Sequence, residues 1–226
     1  MIDTHCHLTY EPLCVDVIGV IERAQSAGVH AMITIGTAAR DSEAGLRLAR
    51  THASVRCSVG IHPGHAHEAR DDDMRVLRRL AEDPCVLAIG DTGLDYFHKP
   101  YDAAVQARFF RMQVELALEI GKPLVIHSRD AADDTLKVLA EFPGARCVFH
   151  CFTGSADEAS RILARGYMLS FTGPVTYKKN QALREIARCV PDDRIMVETD
   201  APFLSPEPVR SIRPCEPAMV AHVASR

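Results

Sequence analysis

Six residues of types that bind divalent cations or move protons stand at intervals along the chain: His5, His7, Asp91, His127, His150 and Asp200. His5 and His7 are two apart, so on an extended strand they share one face while Cys6 points to the other. Four imidazoles and two carboxylates exceed the three or four ligands of a single tetrahedral site. They suit two divalent cations (Mg²⁺, Mn²⁺ or Zn²⁺) about 3.5–4 Å apart, which together clamp the attacking and leaving oxygens of one displacement. A purely structural set is disfavoured, because burying four imidazoles without partners is costly. Cys147, His150 and Cys151 have a tempting spacing for a zinc knuckle, but strand alternation puts His150 opposite both cysteines.

Each candidate ligand falls at the end of a short apolar run, and there are eight such runs. They are Met1–Leu8, Ala31–Gly36, Arg56–His62, Val86–Asp91, Leu124–His127, Arg146–Phe152, Tyr167–Thr172 and Ile195–Asp200. Near-continuous apolar runs are expected of strands covered on both faces. Helical segments lie between them. In Ala103–Ile120, Val105, Phe109, Met112, Leu116 and Ile120 form one apolar stripe. Gly121 follows it, as Gly28 and Gly166 follow two other candidate helices, where a left-handed residue can end the helix. Eight βα units in series predict an α/β fold, a TIM (β/α)8 barrel, as one domain over residues 1–226. Its last helix begins near Glu216 and is shortened. In such a barrel the C-terminal strand ends converge, so the six ligands would point into one bowl.

Composition narrows the function. Lys and Arg number 26 against 30 Asp and Glu, a net charge of −4, which excludes non-specific duplex binding by charge as the main activity. Eight cysteines without a Cys-x-x-Cys pair do not form a disulfide framework in so core-rich a chain. The start lacks a secretory signal and no apolar run spans a bilayer, so a cytoplasmic protein is expected, with no membrane attachment and no obligate protein partner. Gly-x₄-Gly-Lys-Ser/Thr, Gly-x-Gly-x-x-Gly and Gly-x-Ser-x-Gly are all absent, which disfavours nucleotide switches and serine hydrolases.

Six ordered motifs carry a resemblance. They are Asp3-Thr4-His5-Cys6-His7-Leu8, Gly60-Ile61-His62-Pro63, Gly93-Leu94-Asp95-Tyr96, His127-Ser128-Arg129-Asp130-Ala131, His150-Cys151-Phe152-Thr153-Gly154 and Glu198-Thr199-Asp200-Ala201-Pro202. Together they resemble the TatD family of metal-dependent deoxyribonucleases, from Asp3 to about Pro217. The resemblance implies a barrel of the amidohydrolase type and a two-metal phosphodiesterase acting on DNA. It implies that His5, His7 and Asp200 hold one cation, His127 and His150 the other, and that position 91 bridges them. The family has glutamate there, whereas this chain has Asp91, one methylene shorter. A second departure is Arg213-Pro214-Cys215-Glu216-Pro217, where the family tends to have Arg-Asn-Glu-Pro.

Supporting roles follow from strand parity. Glu198 shares a face with Asp200 and could orient a ligating imidazole; Asp3 has the parity for the same task. Arg129, two residues past His127, could pair with a substrate phosphate. His62 could donate to a phosphate oxygen or leaving group, and Asp200 is the candidate general base. His30, His52, His98 and His222 fall outside the constellation. The expected activity is exonucleolytic cleavage of single-stranded DNA. The alternatives are hydrolysis of an amide, a lactone or an aminoacyl-tRNA ester at the same site, or a non-catalytic metal-binding accessory protein.

Overall fold

The computed structural model describes residues Met1–Arg226. Strands and helices alternate: β1 (Ile2–Cys6), α1 (Val17–Ser26), β2 (Ala31–Thr34), α2 (Ala39–Thr51), β3 (Val55–Val59), α3 (Asp71–Ala81), β4 (Val86–Asp95) and α4 (Ala103–Ile120). They continue as β5 (Leu124–Arg129), α5 (Ala132–Ala140), β6 (Cys147–Phe149), α6 (Ala156–Leu163), β7 (Met168–Phe171), α7 (Gln181–Cys189), β8 (Ile195–Val197) and α8 (Val220–Ala224). The strands belong to one eight-stranded parallel sheet whose order follows the chain. That is the topology of the expected (β/α)8 barrel. The last helix, α8, is five residues long. No helix is long and apolar enough to cross a membrane.

Two compact units make up the chain: Met1–Thr34 with His150–Arg226, and Ile35–Phe149. In the first, β1 pairs with β2, β7 pairs with β8, and Cys6 bridges to Ala201 beyond β8. Leu8, Leu13, Met32 and Phe171 are fully buried in its core. The two glycines expected to end its helices do so, Gly28 at φ 83° and Gly166 at φ 76°.

In the second unit, β3 to β6 pair in succession. Here β4 runs on to Asp95, four residues past the end expected from its apolar run, because Thr92–Asp95 pair with Ile126–Arg129 of β5. Asp91 therefore lies inside a strand and not at its end. Gly93 permits the extension. At its φ of 137°, a Cβ would lie 2.0 Å from the His127 carbonyl oxygen, so only glycine lets β4 pass so close.

The buried face of α4 differs from the apolar stripe read in the sequence. Phe109 and Leu116 are buried, but Val105, Met112 and Ile120 are only half-buried, and Gln106 and Gln113 are buried in their place. The reason is hydrogen bonding. Gln106 accepts from Asp95 N (2.9 Å) and donates to Asp95 O (3.0 Å). Gln113 accepts from Ile61 N (2.8 Å) and donates to Ile61 O (3.0 Å) and Thr92 Oγ1 (2.7 Å). A side-chain amide offers the same donor and acceptor as a neighbouring strand, so α4 pins the backbone at Ile61, beside His62, and at Asp95.

Candidate metal centre

In the first unit, backbone bonds zip the end of β1 to the turn after β8. Asp200 N donates to His5 O (2.9 Å) and His7 N to Ala201 O (2.7 Å). Asp200 is left-handed, at φ 57°. Asp130, Cys151 and Leu204 share that conformation, so the non-glycine residues held there all follow strands β5, β6 or β8, and such outliers gather at functional sites. The result is a triangle of donor atoms. His5 Nε2 lies 3.3 Å from His7 Nε2, and Asp200 Oδ1 lies 3.6 and 3.4 Å from these two nitrogens.

Those separations are long for good hydrogen bonds, which prefer roughly 2.7–3.2 Å. They match the edge of a tetrahedron, roughly 3.3–3.4 Å for ligands about 2.0–2.1 Å from a central cation. His5 and His7 are buried, and His7 Nδ1 has no hydrogen-bond partner. Imidazole and carboxylate donors, buried and so spaced, fit a divalent cation.

The supporting acids divide their work. Glu198, 1% exposed, accepts from Cys151 N (2.7 Å) and Ser170 Oγ (2.5 Å), and its Oε1 lies 3.4 Å from His150 Nδ1. It therefore faces an imidazole, which in turn stacks on His5 at 3.9 Å between ring centroids. Asp3 does not. Its carboxylate accepts from Thr199 N (2.9 Å), Thr199 Oγ1 (2.5 Å) and His5 N (3.4 Å), so it orients backbone and no ring. Burial pushes the Asp3 carboxyl up to about 7, with the bonds from Thr199 opposing the rise.

The second unit has another cluster, of His62, Asp95 and His127. Asp95 Oδ2 accepts from His127 Nε2 (3.0 Å) and His98 Nδ1 (2.8 Å), while Oδ1 accepts from Phe97 N and His98 N (2.9 Å each). Burial would raise this carboxyl, but the bonds from His127 and His98 outweigh it and hold Asp95 well below the usual carboxylate range. Asp95 accepts at His127 Nε2, so that nitrogen carries a proton and Nδ1 is the one Asp95 does not engage. His62 Nδ1 accepts from Gly64 N (2.9 Å), which places its proton on Nε2.

Asp91 is buried on β4, and its N–H donates to Gly36 O (2.8 Å). Arg129 is exposed at the end of β5, its guanidinium 4.7 Å from the centre of the Phe97 ring.

Asp95 and His98 are participants that the motif reading passed over. Strand parity was the available signal, since Asp95 shares a face with Asp91 once β4 is taken to its full length. A cavity of about 460 Å³ opens beside them, with His67, Lys99 and Tyr101 in its wall. A larger one, about 990 Å³, lies between α6 and α7 in the first unit and is lined by none of the candidate ligands.

Comparison with known proteins agrees with this chemistry. The family model described as TatD related DNase matches residues 2–226. The chain is 36% identical to an uncharacterized metal-dependent hydrolase, YabD of Bacillus subtilis, over 100% of this chain and 89% of the relative. It is 37% identical to the 3'-5' ssDNA/RNA exonuclease TatD of Erwinia tasmaniensis, over 100% of this chain and 90% of the relative. The crystal structure of YJJV, a TatD homologue from Escherichia coli, superposes with a TM-score of 0.93 at 29% identity, covering 100% of this chain and 88% of that one. This chain therefore belongs to the TatD family of metal-dependent hydrolases.

Proposed function

We propose that this chain cleaves phosphodiester bonds at the ends of single-stranded DNA, using two divalent cations. The observation that carries the reading is the triangle of His5 Nε2, His7 Nε2 and Asp200 Oδ1, with edges of 3.3, 3.4 and 3.6 Å. His5, His7 and Asp200 would hold one cation. His150, turned toward Glu198 through Nδ1, would serve as a further ligand. His127 and Asp91 would serve a second cation, His127 through the ring nitrogen that Asp95 does not engage. Bound cations would polarise the phosphoryl oxygens and lower the pKa of the attacking water.

The remaining steps belong to side chains. Asp200 takes the proton of the attacking water. His62, with its proton on Nε2, donates to the leaving oxygen or to a phosphate oxygen. The exposed Arg129 guanidinium pairs with a phosphate of the strand.

Incubating the purified chain with end-labelled single-stranded and duplex DNA, with manganese or with EDTA, tests the proposal. Metal-dependent release of mononucleotides from the single strand is the expected result. Release of none, alongside cleavage of an amide, lactone or aminoacyl ester, would transfer the site to another substrate.

A further inference from the structure

The loop after β4 carries side chains that neither donor cluster uses. Phe97 is 53% exposed, and the Arg129 guanidinium lies over one face of its ring at 4.7 Å. Arg129 makes no ion pair and no side-chain hydrogen bond, so a packing contact with Phe97 is what holds its charge in place. Lys99, two residues on, is exposed. Tyr101, 41% exposed, stacks on Tyr96 at 5.1 Å, and Tyr96 donates its hydroxyl to Asp134 (3.0 Å).

The backbone fixes these groups relative to His127. Asp95 stands opposite Arg129 in the β4–β5 ladder, and Tyr96 N donates to Arg129 O (2.9 Å). Asp95 also accepts from Phe97 N, so the carboxylate that engages His127 holds the first turn of the loop as well. Arg129 is two residues beyond His127 on the same strand and face, roughly 6–7 Å along it.

We propose that Phe97 and Arg129 form a nucleotide subsite, with the Phe97 ring stacking a base of a single-stranded polynucleotide and Arg129 and Lys99 pairing with its phosphates. The subsite rests on the phosphodiesterase reading above and extends it. Exposed aromatic faces beside cations suit a flexible polyanion whose bases are free to stack. Duplex bases are already stacked on one another and cannot use the ring. The acids nearby are engaged: Asp134 by Tyr96, Asp95 by two histidines, and Asp102 by the first turn of α4. Asp130, next to Arg129, is exposed.

Binding of a fluorescent oligothymidylate to the intact chain, measured in EDTA so that nothing is cleaved, tests the subsite. Phe97→Ala, and Phe97→Leu, which keeps apolar bulk without the aromatic face, should each weaken binding roughly 5- to 100-fold. Ile18→Ala, a change at a 59% exposed apolar residue on α1, should leave it unaltered. Abasic sites scanned along the oligonucleotide should reveal one position whose loss weakens the parent and not Phe97→Ala.

Parental affinity in both Phe97 variants, or an abasic scan with no position coupled to Phe97, would overturn the subsite. If the parent binds no oligonucleotide yet hydrolyses bis(p-nitrophenyl) phosphate with manganese, the subsite fails and the phosphodiesterase reading stands. Loss of that reporter activity as well would remove the reading itself.

Discussion

The two donor clusters use the same residue types and differ in their distances. In the first unit, two imidazole nitrogens and a carboxylate oxygen stand 3.3–3.6 Å apart, too far for strong hydrogen bonds and right for sharing a cation. In the second, Asp95 accepts four hydrogen bonds at 2.8–3.0 Å, two of them from imidazoles. One cluster is arranged as a ligand shell. The other is a satisfied carboxylate that fixes which nitrogen of His127 carries the proton. Residue type marks both as candidates, and spacing separates their tasks.

The comparison breaks most visibly at Asp200. Asp200→Asn keeps the size of the side chain but removes a negative ligand and the proposed base, so DNA hydrolysis should fall by about 100-fold or more with manganese in excess. Retained activity in the purified variant would place the base elsewhere. Asp95→Asn should act on the second cluster only. It removes the anion that orients His127, and the weaker of two cation-binding steps should loosen by about 10- to 100-fold while the tighter one holds. Calorimetry with manganese separates the two steps.

Asp91→Glu tests the shorter acid. Its added methylene should strengthen the weaker step by about 10-fold. Identical titrations of parent and variant would mean that the length of this carboxylate does not limit the second cation.

The smallest effect is on acid stability. Asp95 is depressed in the folded chain, so the unfolded chain binds more protons below its own pKa of about 4. The stabilisation from Asp95 is therefore full above about pH 4 and is lost as pH falls toward the folded value. The difference in Tm between the parent and Asp95→Asn should shrink as the pH is lowered through that window. A constant difference would show that the carboxylate charge is not what stabilises the loop.

Eight apolar runs alternating with helical segments made the barrel legible, and period-2 alternation paired His5 with His7. Asp200 could be read as a candidate from its place at a strand end, and its grouping with the two histidines came from the resemblance to the TatD family. Asp95 and His98 could not be read, because the end of β4 depends on pairing with β5 and on Gly93 allowing the approach. Gln106 and Gln113 lie outside the apolar stripe read for α4, and a polar residue is ordinarily exposed. Their burial becomes favourable only when the strand backbone they pair with is in place. Asp3 shows the limit of parity, which assigns a face and not a partner: its carboxylate holds Thr199.

The most direct test is a manganese titration of the metal-stripped chain by calorimetry, repeated with His7→Ala and His127→Ala. Two steps of unequal affinity are predicted for the parent. His7→Ala should abolish the tighter step, and His127→Ala should abolish the weaker one and spare the tighter. A tight step that survives His7→Ala would contradict the assignment of the cation to His5, His7 and Asp200.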